Sequence, residues 1–175
     1  VLTGCSASYQ TDLSQSQTRS RWHNSQGVVY MDQHNYTAGR SQFEKALALD
    51  SLFPTAHANL GIALYSLGKF DSARAELVAC LALNPKHLHA NYTLGLIDLA
   101  GGDNYERALA SFQQVADIDG DDPLVQYHLG RTLAKLGRSD DALAAYGRAI
   151  ELDENLLSAH YASCLLYTSP SPRDG

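Results

Sequence analysis

The chain has 175 residues, of which 45% are hydrophobic and 18% charged, and this composition excludes collagen-like and disordered proteins. Its formal charge of -6 argues against nucleic-acid binding, which needs a basic face. No apolar run approaches the roughly 18 residues of a membrane-spanning helix, and three cysteines without C-x-x-C spacing exclude a disulfide scaffold and a zinc site.

The first residues place a cysteine in a distinctive context. The chain begins Val-Leu-Thr-Gly-Cys-Ser, so that the small residue Gly4 directly precedes Cys5. This resembles the lipobox of bacterial lipoproteins. The resemblance implies that Cys5 is lipidated and that residues 1–4 are a remnant of the signal peptide; Ser6, in place of Asp, implies sorting to the outer membrane. An ordinary loop cysteine is the alternative. Residues 5–19 are rich in Ser, Gln and Thr, and we predict a flexible tether there.

A period of about 34 residues organises the middle of the chain. Each period has a glycine, a small residue twelve or thirteen positions later, a larger residue four positions beyond that, and another small or branched residue three positions further on. Small residues let two helices cross closely, and the larger residue fills the space beside them. The four sets are Gly27, Gly39, Phe43 and Ala46; Gly61, Ala73, Leu77 and Cys80; Gly95, Ala108, Phe112 and Val115; and Gly130, Ala142, Tyr146 and Ala149.

The second period reads Ala-Asn-Leu-Gly-Ile-Ala-Leu-Tyr-Ser-Leu-Gly-Lys-Phe-Asp-Ser-Ala and ends in Leu-Asn-Pro. This pattern resembles the tetratricopeptide repeat family over about residues 20–163. The resemblance implies an all-α fold, a right-handed superhelical solenoid of antiparallel helix pairs. The repeats span about 20–53, 54–87, 88–122 and 123–156, with a partial fifth at 157–163. The predicted helices are 21–33, 37–50, 55–67, 71–83, 89–100, 105–118, 124–136 and 140–152, with a ninth from about Leu156.

In this family the first helix of each repeat lines a concave groove that binds a partner. Carried over by position, the groove is apolar and rich in tyrosine, and its fourth repeat adds two cations. We therefore expect a peptide with apolar anchors and an acidic group near Arg131 and Lys135. Alternatively, the tyrosines mainly pack against neighbouring helices. The groove residues are Asn24, Val28, Met31, Ala58, Ile62, Tyr65, Tyr92, Leu96, Leu99, Tyr127, Arg131 and Lys135.

The Lys/Asn pattern with which some co-chaperones of this family bind a terminal carboxylate is not matched. The positions directly after the four glycines are Val, Ile, Leu and Arg. We therefore do not predict binding of chaperone tails.

The seven histidines raise the question of a metal or catalytic site. His23, His57 and His160 share one repeat position, where a bulky side chain normally packs, so we predict packing for them. His87 and His89 lack a nearby carboxylate or thiol pair and are predicted to lie on the surface.

An acidic cluster and a cysteine are two further candidates for a ligand site, but the sequence favours a structural role for both. Asp117, Asp119, Asp121 and Asp122 form an acidic cluster without the Gly and Glu positions of an EF-hand loop, which favours a solvated turn. Cys80 occupies a small-residue position and is predicted to be a buried thiol. No catalytic or phosphate-binding motif is found, so we expect no enzymatic activity, no cofactor and no metal.

The C-terminal residues 164–175 read Cys-Leu-Leu-Tyr-Thr-Ser-Pro-Ser-Pro-Arg-Asp-Gly. They resemble the translation of an adapter used in sequencing libraries, and we interpret them as a non-native tail. A natural Ser/Pro-rich tail is the alternative.

Together these patterns predict a non-catalytic scaffold that binds a peptide or partner protein, but not nucleic acid. We expect an assembly factor of the bacterial cell envelope, anchored in the outer membrane through Cys5 and facing the periplasm; without the anchor it would be soluble in the periplasm or cytoplasm. The alternative is the N-terminal repeat region of a longer bacterial protein with a β-propeller or enzymatic domain. Self-association through the uncapped C-terminal helix is a further expectation, because solenoids need polar terminal caps.

Overall fold

The structure, a computed structural model, describes residues 4–102 and 104–168, with side chains from Asp12 onward. All regular secondary structure in these ranges is helical, as the sequence predicts, and apart from the start of α1 the helix ends lie within about two residues of the predicted ones. The helices are α1 (Gly4–Asp32), α2 (Tyr36–Leu49), α3 (Pro54–Ser66), α4 (Phe70–Leu83), α5 (Leu88–Gly101), α6 (Tyr105–Ala116), α7 (Pro123–Lys135), α8 (Ser139–Leu152) and α9 (Leu157–Thr168).

The chain divides into two compact units, Val1–Ala90 and Asn91–Gly175. In the first unit each helix from α1 to α4 packs against the next, and α1 also contacts α3. In the second unit α6 to α9 pack in the same consecutive order, and α7 also contacts α9. Helix α5 begins in the first unit and continues in the second.

The glycine of each period lies directly against the larger residue on the second helix of its pair. A Cβ atom added to Gly61 would lie 2.6 Å from Cγ of Leu77 and 3.2 Å from the carbonyl oxygen of Ala73. Real side chains do not approach this closely, so each crossing requires glycine. The corresponding pairs are Gly27 with Phe43, Gly61 with Leu77, Gly95 with Phe112, and Gly130 with Tyr146. The small residues of the crossings, Gly39, Ala73, Ala108 and Ala142, are also buried.

The structure differs from the prediction at the N-terminus, where residues 5–19 belong to helix α1 instead of a flexible tether. Ser16 Oγ donates a hydrogen bond to the carbonyl of Leu49 (2.7 Å), and the buried Ser20 Oγ donates one to the carbonyl of Ala46 (2.9 Å). Carbonyls in the last turn of a helix are incompletely satisfied within it. The serines of α1 supply donors to the end of α2, and Gln and Arg around them favour helix.

Some predictions concern residues outside this description. Residues 1–3 of the signal-peptide remnant, the side chain of Cys5 and residues 169–175 of the predicted non-native tail are not described. The described part of that tail, residues 164–168, forms the end of α9, and Leu166 packs against the buried cluster of Leu133, Ala142 and Tyr146. Within the described ranges, no helix has both the length and the apolar character needed to cross a bilayer.

Candidate functional site

The candidate site is a pocket of about 340 Å³ in the second unit, between α7 and α9. Helix α7 contributes Tyr127, Arg131 and Lys135, three predicted groove residues whose helical spacing places them on one face. Helix α8 contributes Tyr146, and α9 completes the wall. The full lining is Tyr127, Arg131, Ala134, Lys135, Tyr146, Ser158, Tyr161, Ala162, Leu165 and Leu166.

Aromatic rings form the floor and one edge of this pocket. The rings of Tyr127 and Tyr146 lie 6.0 Å apart and are tilted by 40°. Tyr146 is only 2% exposed, whereas Tyr161 on α9 is 68% exposed at the rim. Burial raises the pKa of Tyr146 to about 12, and Tyr127 adds to this effect while Arg131 opposes it. The Tyr146 phenol is therefore neutral, and it presents an apolar ring with one hydroxyl.

The pocket is positively charged although the chain as a whole is acidic. The Arg131 guanidinium carbon lies 5.6 Å from the centre of the Tyr127 ring, within the range of a cation–π contact. Arg131 and Lys135 are both exposed, and none of the ten described lining residues is acidic. Two lining residues, Leu165 and Leu166, come from the segment interpreted as non-native, and the other eight carry the argument. The arrangement suits an apolar side chain next to an acidic group.

His128, which the sequence analysis did not single out, lies at the centre of an aromatic cluster beside this pocket. Its ring stacks on Phe112, with centroids 5.4 Å apart and planes 11° apart, and meets Tyr92 edge-on at 5.6 Å. Burial and, to a smaller extent, the positive charge of Arg131 lower the pKa of His128 to about 4, and Asp122 opposes the shift. Its Nδ1 is buried without a hydrogen-bond partner among the described residues.

The position of His128 within its repeat could have identified this residue from the sequence. It lies two residues before Gly130, as Asn59 lies two residues before Gly61. Asn59 Nδ2 donates a hydrogen bond to Oδ1 of Asn24 in the preceding repeat (2.9 Å). In the same way His128 contacts Tyr92 of its preceding repeat. Asn59 and His128, at the same repeat position, therefore each contact the preceding repeat.

The remaining predicted groove residues have varied environments. Asn24 and Val28 line a separate pocket in the first unit. Met31, Ile62 and Leu96 are half-buried. Tyr65 packs against Phe70 at 5.7 Å, and Tyr92 packs against Phe112 at 5.8 Å, as the packing alternative predicts.

Two of the predicted groove residues are inaccessible, which corrects the sequence-based assignment. Ala58 is 0% exposed and Leu99 is 7% exposed. The single methyl group of Ala58 does not extend past its larger neighbours, and Leu99 gains free energy by leaving water. Neither side chain offers substantial surface to a partner in this conformation.

The histidines of the shared repeat position make structural hydrogen bonds. His57 Nδ1 lies 2.7 Å from Oε2 of Glu76 on α4, and its Nε2 lies 3.0 Å from the carbonyl oxygen of Ser51. His23 Nδ1 likewise lies 2.8 Å from Oε1 of Gln42. Among the residues with described side chains, no three His, Cys, Asp or Glu residues converge in a way that could hold a metal ion.

The acidic cluster makes local contacts with the chain. Asp122 Oδ1 accepts a hydrogen bond from the backbone N–H of Leu124 and caps α7 (2.8 Å). Asp121 pairs with Arg148 (3.2 Å), and Asp117 Oδ1 accepts a hydrogen bond from Gln113 Nε2 (3.2 Å). These contacts give three of the four carboxylates a structural role.

Comparison with known proteins agrees with this architecture. The chain is 31% identical over 128 residues to the BBSome complex member BBS4 of Xenopus tropicalis, covering 71% of this chain and 24% of that protein. It is 35% identical over 68 residues to the peroxisomal targeting signal receptor of Candida glabrata, covering 39% of this chain and 11% of the receptor. The chain thus spans a quarter or less of the length of these curated relatives.

Solved structures and family models point to the same fold. The structure of MamA 41-end from Desulfovibrio magneticus RS-1 superposes with a TM-score of 0.78 at 20% identity, covering 85% of this chain and 83% of that one. One family model described as tetratricopeptide repeat matches residues 24–87 and 59–123, and a second with the same description matches residues 99–164. These matches cover well over half of the chain, which therefore belongs to the tetratricopeptide repeat family of protein-interaction scaffolds.

Proposed function

We propose that this chain is a non-catalytic scaffold that holds a segment of a partner protein in the pocket between α7 and α9. The observation that carries the proposal is the convergence of Tyr127, Arg131 and Lys135 in one tyrosine-lined pocket without an acidic lining residue. One relative is a peroxisomal targeting signal receptor, which is consistent with recognition of a protein segment.

The chemistry of the pocket defines the segment that it would hold. Tyr127, Tyr146 and Ala162 offer an apolar surface for one aliphatic or aromatic side chain. Desolvated aromatic contacts of this kind supply most of the binding free energy at interfaces. Arg131 and Lys135 at the exposed edge would pair with a nearby carboxylate, which adds selectivity and speeds association more than it adds affinity.

Selection from a random peptide library displayed on phage, with the purified chain as bait, tests this proposal. We expect enriched peptides to place Asp or Glu within a few residues of a large apolar side chain. The double variant Arg131→Gln/Lys135→Gln should bind these peptides about two- to five-fold more weakly for each charge removed. Arg40→Gln is the matched control, because Arg40 pairs with Glu44 on α2 in the other unit. Enriched peptides without acidic residues, or equal binding by the double variant, would refute the pocket as the site.

We also propose that Cys5 is lipidated and anchors the protein in a bacterial outer membrane, facing the periplasm, as an assembly factor of the cell envelope. The Leu-Thr-Gly-Cys sequence supports the anchor. Helix α1 has 29 residues and is roughly 40 Å long. The part of α1 before Ser16, which precedes its hydrogen bonds to α2, would hold the repeats away from the membrane as a spacer.

Expression of the intact gene in a bacterial host fed an azide-labelled fatty acid tests the anchor. The wild-type protein should incorporate the label and sediment with outer membranes, and Cys5→Ala should do neither. Cys80→Ala is the control, because this buried cysteine of the repeats lies outside the lipobox and should leave labelling unchanged. Labelling that persists in the Cys5→Ala protein would contradict the proposal.

A second candidate is that these repeats are the N-terminal region of a longer bacterial protein with a β-propeller or enzymatic domain. The curated relatives favour this candidate, because the segment that matches this chain makes up 24% or less of the length of each relative. The sequence of the intact gene decides: several hundred codons after the repeats support this candidate, and an early stop codon supports the scaffold alone.

We propose further that a second copy of the chain associates with α9. Leu157, Tyr161 and Tyr167 on this helix are 79%, 68% and 75% exposed. In sedimentation velocity, Leu157→Ser should shift the chain toward monomer. Leu52→Ser, a control at a 71% exposed leucine of the first unit, should have no effect. A wild-type chain that stays monomeric at high concentration would contradict self-association.

A further inference from the structure

A second pocket lies in the first unit, apart from the site on α7 and α9. It has a volume of about 530 Å³ and is formed where α1 and α3 meet the turn before α5 and the first residues of α5. Asn24 and Val28 come from α1, and Thr55 and Asn59 from α3. The lining is Asn24, Val28, Thr55, Asn59, Asn84, Lys86, His87, Leu88 and His89.

The pocket concentrates nitrogen donors and basic groups. Lys86, His87 and His89 are basic, and none of the nine described lining residues is acidic, in a chain whose formal charge is -6. The Lys86 side chain is exposed and ends in an ammonium group with three N–H donors. Lys86 carries the positive charge of this lining, and a positive charge without an acidic neighbour in the lining attracts anions.

The two histidine rings lie close together at one side of the pocket. Their centroids are 6.3 Å apart and their planes are nearly perpendicular. The backbone N–H of Ala90 donates a hydrogen bond to Nδ1 of His87 (3.4 Å). Burial lowers the pKa of His87, and the adjacent His89 lowers it further. Two positive rings at this distance repel each other, and a bound anion would relieve the repulsion.

Amide groups complete the lining. Asn59 Nδ2 donates one hydrogen bond to Oδ1 of Asn24 (2.9 Å), which fixes the orientation of the amide and leaves a second N–H on the same nitrogen. Asn84 Oδ1 accepts from the backbone N–H of Lys86 (3.3 Å), which holds the turn that presents the lysine.

We infer that this pocket binds a small oxyanion, a carboxylate or a phosphate. Lys86 supplies the positive charge, the second N–H of Asn59 Nδ2 supplies a hydrogen-bond donor, and the rings of His87 and His89 line the site. This inference is independent of the partner site on α7 and α9, because the two pockets share no residue. Bound anion and protonated imidazole stabilise each other, so binding strengthens as the pH falls.

Titration of the histidine ring signals by NMR tests the inference on the full chain. Sodium phosphate, sodium acetate and sodium chloride are added in turn at constant ionic strength, and the His87→Gln and His89→Gln variants assign the two signals. We expect a saturable shift of both signals with phosphate or acetate and none with chloride. The anion that shifts them identifies the ligand as a phosphate or a carboxylate. The bound anion should also raise the pH at which the His87 ring titrates, because a nearby negative charge favours the protonated imidazole.

Lys86→Gln should weaken binding of that oxyanion about two- to five-fold, the range expected for one exposed ion pair. Lys45→Gln is the matched control, because Lys45 is an exposed lysine on α2 of the same unit and does not line the pocket. Shifts of equal size with chloride, the absence of a saturable shift with both oxyanions, or equal weakening by the two lysine variants would each overturn the inference.

Discussion

The imidazole of His128 stacks almost parallel on the ring of Phe112, with centroids 5.4 Å apart and planes 11° apart. This contact places a titratable group inside an aromatic cluster that also includes Tyr92 and Tyr127. Protonation of His128 would bury a positive charge close to Arg131, which is why its pKa falls to about 4.

The stability of the protein should therefore depend on pH through His128. The unfolded chain takes up the proton near pH 6.5, whereas the folded chain does so only near pH 4. The unfolded state thus binds more protons in this window, and the free energy of unfolding should fall as the pH falls from about 6.5 to about 4. Denaturant unfolding curves at a series of pH values measure this slope.

His128→Phe should flatten that slope, because the ring stack stays and the titratable group is lost. His160→Gln is the control: its exposed ring bonds the carbonyl of Glu154 (3.0 Å), and Gln126 makes the equivalent bond in the preceding repeat (3.1 Å). Its slope should match that of the wild type. An unchanged slope in His128→Phe would contradict the assignment.

The helix crossing at Gly61 should not tolerate a side chain. Gly61→Ala should destabilise the protein by about 1–3 kcal/mol, because its Cβ would lie 2.6 Å from Leu77 Cγ and 3.2 Å from a backbone oxygen. Gly147 offers a matched helical control with nothing within 4 Å of the added Cβ. Gly147→Ala should stabilise the protein by about 0.5–1 kcal/mol. Denaturant midpoints measure both changes, and equal destabilisation by the two variants would argue against the crossing model.

The packing of each helix pair was predictable because glycine and its larger partner recur at a fixed spacing, as Gly61 and Leu77 do. The exposure of the groove residues was not predictable, because the repeat position of a residue does not specify the size of its side chain. Ala58 occupies a groove position and is nevertheless buried. Tyr146, assigned to packing, also forms the pocket floor. His128 could be found only by comparing residues that contact the preceding repeat.

The packing of α1 on α2 should depend on the buried hydroxyl of Ser20. The Ser20→Ala change removes its hydrogen bond to the Ala46 carbonyl and should cost about 1 kcal/mol of unfolding free energy. Ser25→Ala is the control, because Ser25 is exposed and bonds only to Arg21 within α1 (3.0 Å); it should cause no loss. Hydrogen exchange of the α1 amides should rise in Ser20→Ala alone. If both variants exchange alike, Ser20 does not hold α1 on α2.

Cys80 should resist alkylation as long as the protein is folded. Burial raises the pKa of its thiol to about 11, although a hydrogen bond from the backbone of Ala58 opposes the shift. The reactive thiolate is then on the order of a thousandth of the population at pH 8. The side chain is also fully buried, whereas Cys164 is exposed. Peptide mapping by mass spectrometry after a timed iodoacetamide reaction should find Cys164 modified first and Cys80 modified only as denaturant unfolds the chain. Equal rates at the two sites without denaturant would contradict the packing of α4 against α3, because Cys80 is protected only while these helices stay together.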